Sequence, residues 1–472
     1  MRFFIFLKEK LAFFEKGCYN MNIIDYNRMI RQSFRGKKMK TTIKSFYIDG
    51  YKNISNATLY LNDITAIIAL NNYGKSNLIN AIRFGIDFIK GSNEVKKDIF
   101  EYQPAFPFLS VNSGRNFTFA VNVEMNDSDE NIYNVEYTYS FKWRTKTDPG
   151  FINFESLKIS SKVIPGGAFI VKIAGSNVYT FRSSLKSRNK RQIIIKDNSL
   201  AINALVNIID DDETYLNILT ELNNLNFLIE DHLDANGSYD FDPINYRGNS
   251  QINVPRMIWE MKENHPVEYG MLIDGFKQLF PNIKEVTCQE HPISHSINDL
   301  SQISSDILFN NNVYTLSVVD PSLICPIDFN YLSDGTKRVF LTLTTAVNAK
   351  INHLSVLALE EPENSIHPKL LQNYISILDL LSGDCKLVFT SHSPYIIQFI
   401  DPSDIVLGLP TKTGQVDFRY INKPKKLISD AYNEGSSVGD YLFNGLSFDN
   451  AAEILSCYLS DSQIVFEDDS EE

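Results

Sequence analysis

No stretch of the 472-residue sequence carries the roughly 18 to 20 uninterrupted apolar residues of a membrane-spanning helix, which argues against a helical membrane protein. The short run Phe3-Phe4-Ile5-Phe6-Leu7 is broken at once by Lys8-Glu9-Lys10, so a secretory signal is not expected either. Cysteine is sparse: Cys18, Cys288, Cys325, Cys385 and Cys457 are odd in number, widely scattered and never in a C-x-x-C pair. Neither a disulfide framework nor a zinc site is indicated, and the usage is that of a reducing cytoplasm. An excess of positive charge is missing as well. A net charge of −12 and a pI near 5.2 argue against nucleic-acid binding through bulk charge, while leaving local basic patches open. What remains is 43% hydrophobic and 22% charged residues, an ordinary globular composition at a length that allows about two to four domains.

Residues 1–38 differ in character from the rest of the chain. A short apolar patch gives way to Arg28, Arg31, Arg35, Lys37 and Lys38 without a sustained period, and Met39 stands directly before a strand-like run. The segment is expected to be a disordered or mis-started arm; a basic nucleic-acid arm is the alternative reading. From Ile43 to Leu70 three short strands are expected around the turns at Asn53, Asn56 and Asn62-Asp63. Residues 116–143 hold two alternating runs, FTFAVNVEM and IYNVEYTYSFKW, which further short strands up to Phe181 extend into an antiparallel meander. The cluster Arg182, Lys186, Arg188, Lys190 and Arg191 reads either as a solvated loop or as a contact for a DNA or RNA backbone. Residues 200–232 and 255–280 turn helical, with no heptad run long enough for an extended coiled coil. A compact helical subdomain is therefore expected over 199–283, inserted between an α/β lobe at 39–198 and a second at 284–410, with an extension at 411–472 that ends in FEDDSEE.

The chemistry concentrates at IIALNNYGKSNLINAI, residues 67–82, an apolar strand end, a small-residue turn and the start of a helix. Its Asn71-Asn72-Tyr73-Gly74-Lys75-Ser76 turn is the Gly-Lys-Ser half of a phosphate loop. Backbone N–H groups and a helix N-terminus surround the β/γ-phosphates, Lys75 adds a point charge, and the Ser76 hydroxyl reaches Mg²⁺. The leading glycine of that pattern is Ala69 here, which costs on the order of 1 kcal/mol if the position needs a positive φ. Farther on, the apolar run Val356–Leu359 delivers Glu360 and Glu361 at what should be the C-terminal end of a parallel strand, before Pro362. One carboxylate there can hold Mg²⁺ while the next polarises an attacking water. A second such run, Lys386–Phe389, ends in Thr390-Ser391-His392-Ser393-Pro394, where His392 can reach a γ-phosphate or the attacking water. Between them, Ser333-Asp334-Gly335 opens the helical run after Lys337-Arg338 and presents N–H groups to an anion.

In order, ALNNYGKSN, YLSDGTKR, LALEEPENSIHP and FTSHSPYII resemble the α/β head of ABC-type P-loop ATPases of the structural-maintenance (SMC), RecF and OLD-like groups. They are most similar to the "AAA family ATPase" proteins of bacterial antiphage and abortive-infection systems, such as the Septu and PARIS ATPase subunits. The resemblance covers roughly residues 39 to 410. It implies a mixed sheet with helices plus an antiparallel meander, ATP and Mg²⁺ as ligands, and slow ATP hydrolysis. It assigns phosphate contacts to Asn71, Asn72, Gly74, Lys75, Ser76 and Asn77, and metal contacts to Ser76 and Glu360. Glu361, His392 and Lys75 become the catalytic groups, Ser333 and Gly335 the signature turn, and 364–367 a D-loop equivalent.

The signature turn of one copy then covers ATP held by another, so the resemblance implies a homodimer or higher homo-oligomer closed by ATP. Residues 393–472 leave no room for a toprim nuclease with its own strand-borne acids, so a separate effector, a nuclease or toxin, is expected. Two alternatives stand beside this reading: a scaffold in which ATP is bound with negligible turnover, and a RecF-like clamp that contacts DNA.

Overall fold

The computed structural model describes residues 39–460 apart from 71–72, 108, 110–113, 148, 163, 165, 210–211, 231–253, 293–311, 365 and 449. The arm expected over 1–38 and the acidic tail lie outside the described residues. The chain opens with β1 (Lys40–Asp49), β2 (Ala57–Tyr60) and β3 (Ile64–Ile68), then α1 (Lys75–Lys90) and α2 (Asn93–Tyr102). A meander comes next: β4 (Phe117–Asn126), β5 (Ile132–Lys142), β6 (Phe151–Ser161), β7 (Gly167–Lys172), β8 (Val178–Arg182) and β9 (Lys190–Ile194). All of its pairings are antiparallel, and with β1 and β2 it makes an eight-stranded sheet in the order β2-β1-β4-β5-β6-β7-β8-β9. The alternation in the sequence is the cause. On β5, Tyr133, Val135, Tyr137 and Tyr139 face inward while Asn134 and Ile132 stay exposed.

The chain continues through α3 (Ala201–Leu205), α4 (Glu213–Asn223), β10 (Phe227–Glu230), α5 (Val254–Asn264) and α6 (Pro266–Leu279). A small antiparallel sheet is built by β11 (Glu285–Pro292), β12 (Asn312–Val319) and β13 (Ile327–Asp328). The remainder alternates as α7 (Asp334–Ile351), β14 (Val356–Glu360), α8 (Leu371–Ser382), β15 (Lys386–Ser391), α9 (Pro394–Ile397), β16 (Ile405–Pro410) and β17 (Val416–Tyr420). The last helices among the described residues are α10 (Pro424–Asn433), α11 (Val438–Leu446) and α12 (Ala451–Leu455). The second large sheet runs β10-β14-β15-β3-β16-β17, parallel except for the β17 edge.

That sheet divides the interior into two cores. Ile67, Val356, Ala358, Val388 and Val406 point to the first, together with α1 and the antiparallel sheet. Ala66, Ile68, Leu357, Leu387 and Phe389 point to the second, together with α5 to α8. Helix α1 is thus held between two sheets. Phe88 stacks on Phe141 at 4.8 Å and on Tyr139 at 5.1 Å, and the Tyr139 hydroxyl donates to the Gly85 carbonyl at 2.7 Å. A side chain at 85 would collide with the Phe119 ring, 2.1 Å from the site of a Cβ, so glycine sets how closely the helix approaches the sheet.

One expectation needs correction. The 199–283 stretch is not one helical insert. Helices α3 and α4 join the first core, α5 and α6 the second, and between them β10 pairs in parallel with β14, Phe227 opposite Val356 and Glu230 opposite Leu359. The four-residue run FLIE packs Ile229 into one core and Leu228 against the other, a strand's alternation that is too short to distinguish from a helical step.

Inside the first core, the fully buried Glu155 of β6 fastens α3 to the sheet. It accepts from Ala201 N at 2.7 Å, from Ile202 N at 3.0 Å and from the Tyr137 hydroxyl at 3.0 Å. Replacing Glu155 with alanine would strand three buried donors; a loss of about 3 to 5 kcal/mol in urea unfolding is expected. Glu155→Gln keeps one accepting oxygen and should lose less.

Candidate nucleotide site

The register of the parallel sheet brings three strand ends level. Glu360 pairs with Thr390 and Ser391 with Ile68, so β14, β15 and β3 finish side by side. After β3, Gly74 takes φ 77° as the N-cap of α1, and a Cβ there would lie 2.9 Å from Val416 and 3.1 Å from the Asn53 amide. Only glycine satisfies both limits. Ala69 is not among the residues with positive φ, so the backbone penalty foreseen for it does not arise. Its buried methyl occupies space left by Gly408 on β16, where a Cβ would come within 2.9 Å of it.

Lys75 is buried, and its Nζ donates to the Ala69 carbonyl at 2.7 Å and the Leu70 carbonyl at 3.3 Å. Burial pulls its pKa down; the charges of Glu361, Glu363 and Glu360 oppose this. Ser76 is exposed at the first turn of α1, whereas Asn77 donates to the Asn53 side chain at 2.8 Å and so braces the turn. Asn71 and Asn72 lie outside the described residues.

Glu361 follows the strand in a left-handed conformation, φ 49°, with its N–H still paired to the Thr390 carbonyl at 2.9 Å. Its carboxylate meets His392 Nδ1 at 2.8 Å through Oε1 and the Asn364 amide at 2.6 Å through Oε2. Lys75, more than 280 residues from the others in sequence, therefore shares one sheet edge with Glu360, Glu361 and His392 and faces both glutamates. Ser333 and Gly335 do not join this edge directly. Ser333, exposed, caps α7 by accepting from Thr336 N at 3.2 Å. Five residues on, Arg338 Nη2 reaches the carbonyls of Glu360 at 3.0 Å and Glu361 at 2.9 Å.

Glu363 was not singled out from the sequence, although the E-E-P-E run contains it. It is only 7% exposed, accepts from the Ser391 hydroxyl through Oε1, and leaves Oε2 without a hydrogen-bond partner among the described residues. Burial raises its pKa, the Ser391 bond lowers it. Asn53 and Arg338 were missed as well, and their contacts, across 24 and more than 20 residues, leave no local pattern.

The donor set suits a magnesium nucleotide. A lysine, a hydroxyl and a half-buried carboxylate at a helix start and strand ends offer hard oxygens and a cation. No group of three or more acidic, histidine or cysteine side chains forms a metal cage among the described residues. Mg²⁺ characteristically binds with one or two carboxylates plus phosphate oxygens.

The chain is an α/β protein whose parallel sheet ends beside a Gly-Lys-Ser turn that opens a helix. It belongs to the family described as "AAA domain, putative AbiEii toxin, Type IV TA system", which matches residues 64–398, well over half of the chain. No curated protein matches it. Among solved structures, the SMC head domain from Thermotoga maritima is similar over 81% of this chain and 99% of its own, at 11% identity and a TM-score of 0.39. The Smc head domain bound to the C-terminal domain of ScpA derived from Pyrococcus furiosus is similar over 83% and 100%, at 9% and 0.43. The recombination mediator RecF with ATP is similar over 80% and 99%, at 14% and 0.36.

The Ala69–Gly408 packing can be tested by stability. Gly408→Ala should destabilise the fold by about 1 to 3 kcal/mol, and adding Ala69→Gly should recover part of that loss. Additive effects in urea unfolding would show that the two positions do not share space.

Proposed function

We propose that the chain binds ATP with Mg²⁺ at the common edge of β3, β14 and β15 and hydrolyses it. Two or more copies close around the nucleotide, and the closed state controls a separate effector, a nuclease or toxin, in antiphage defence. The observation that carries the reading is the junction of Glu361 with His392 beside a buried Lys75. The family's toxin–antitoxin description supports the defence setting.

The N–H groups at the start of α1 and Lys75 hold the phosphates, with Lys75 leaving its two carbonyl partners for them. Ser76 and Glu360 would hold Mg²⁺, which supplies charge neutralisation at the phosphoryl group. Glu361 orients the attacking water and takes its proton; His392, fixed through Nδ1, turns its other ring nitrogen to the γ-phosphate or that water. Ser333 and Gly335, at the open N-terminus of the 18-residue α7, offer N–H groups to ATP on another copy. No helix among the described residues is long and apolar enough to cross a membrane, and Cys288 and Cys385 are buried free thiols, which supports work in the cytoplasm.

Glu361→Gln should lower phosphate release by about 10²- to 10⁴-fold while ATP stays bound and a larger species accumulates on a sizing column. Unchanged turnover would remove Glu361 from the mechanism. ATP-stabilised assembly of the native chain without phosphate release would select the scaffold reading instead.

A second reading has its own observation. Lys186, Arg188, Lys190 and Arg191 are exposed along and beside β9, the open edge of the eight-stranded sheet. A DNA contact there predicts affinity that falls steeply with salt and weakens in a Lys190→Glu/Arg191→Glu variant; salt-independent or absent binding would dismiss it.

A further inference from the structure

Glu361 sits where a side-chain-bearing residue is disfavoured. A φ of 49° is strained outside glycine, so the surrounding structure must hold the turn. Three contacts do so. Its N–H pairs with Thr390. The carbonyls of Glu360 and Glu361, at the point where strand pairing with β15 stops, both accept from Nη2 of Arg338, at 3.0 and 2.9 Å.

A carboxylate lies within electrostatic reach of Arg338 on the same helix flank. Glu230, the last residue of β10, accepts from the Thr342 hydroxyl at 2.9 Å, and Thr342 lies one turn beyond Arg338 on α7. Burial pushes the Glu230 carboxyl up to about 7; the Thr342 bond and the charge of Arg338 pull the other way. The Glu230–Thr342 bond and the two Arg338–carbonyl bonds thus link the edge strand, through α7, to the strand end that carries Glu361. The guanidinium comes from the helix capped by the exposed Ser333.

We infer that Arg338 is a positioning residue: it fixes the Glu360–Glu361 turn so that the Glu361 carboxylate meets His392, and it ties that placement to the position of α7. The inference rests on the proposed hydrolytic role of Glu361. It adds a route by which a ligand or second copy that engages the α7 N-terminus changes the presentation of Glu361 within the same chain. A rigid helix transmits a small displacement of its first turn to a donor five residues along. Both carbonyls then lose or keep their partner together.

The test uses the full chain with Arg338→Met, which keeps bulk and removes the donor. Turnover number should fall about 10- to 100-fold with KM for ATP and affinity for a fluorescent ATP analogue within about threefold of native, and Arg338→Lys should recover part of the loss. A readout independent of turnover is the His392 imidazole signal in ¹⁵N-histidine-labelled protein without nucleotide, assigned with His392→Gln. In Arg338→Met it should move toward its position in Glu361→Gln. If Arg338→Met does not fold, Glu230→Gln should shift the same signal in the same direction by less. An unmoved His392 signal overturns the inference, as does a loss that falls on KM alone. A native chain that releases no phosphate defeats the hydrolytic reading, and the His392 signal still decides the role of Arg338.

Discussion

Parallel pairing of β15 with both β14 and β3 is the constraint on which the site depends. Hydrogen bonding sets the register, Glu360 opposite Thr390 and Ser391 opposite Ile68, and a slip of one residue would turn every side chain on a strand to the other face. The apolar residues resist such a slip from both sides. Val356, Ala358 and Val388 enter one core while Leu357, Leu387 and Phe389 enter the other, so no shifted pairing keeps both cores filled. The polar residues at the strand ends are carried into place by burial elsewhere on the same strands.

Assembling those ends creates an electrostatic problem that the protein settles with few parts. Lys75 is desolvated and would lose its proton more readily, but three glutamates face it. Those glutamates repel one another. His392 and Asn364 take the two oxygens of Glu361, Ser391 takes one of Glu363, and Arg338 adds positive charge on the backbone side. Position is enforced mechanically as well. Helix α1, whose first residue is Lys75, cannot slide because Phe88 stacks between aromatic rings and Gly85 touches the Phe119 ring.

Much of this arrangement was legible in the sequence because it obeys local rules. Gly74-Lys75-Ser76 after an apolar strand, two acids after Val356–Leu359, and the strict alternation of residues 117–142 each encode their structure within about ten residues. What was not legible depends on distant partners. Ala69 looked costly on its own, yet its methyl fits only because position 408, on another strand, has none. The run Phe227–Glu230 continued a helical spacing, and only the free edge of β14 makes it a strand. Arg338 resembled one more charge behind a helix cap; its partners are carbonyl groups, which no side-chain pattern announces. Most strands of the eight-stranded sheet were visible one by one, but β9, whose Lys190 and Arg191 read as part of a basic loop, was not, nor was the order with β1 beside β4.

Both oxygens of Glu361 already accept a hydrogen bond, which at first sight leaves no capacity for the proposed work on water. An ionised carboxylate has about four lone-pair sites, and His392 and Asn364 use one each. The two bonds fix the orientation of the carboxylate plane while leaving a lone pair on either oxygen for a water. A single donor would permit rotation about the terminal torsion, which is broad for glutamate; two donors on opposite oxygens remove that freedom. The left-handed backbone at Glu361 acts in the same sense. Together they make the carboxylate a fixed acceptor at the strand end, whose placement is set by the sheet, by β15 and by Arg338 on α7 rather than by its own flexible chain.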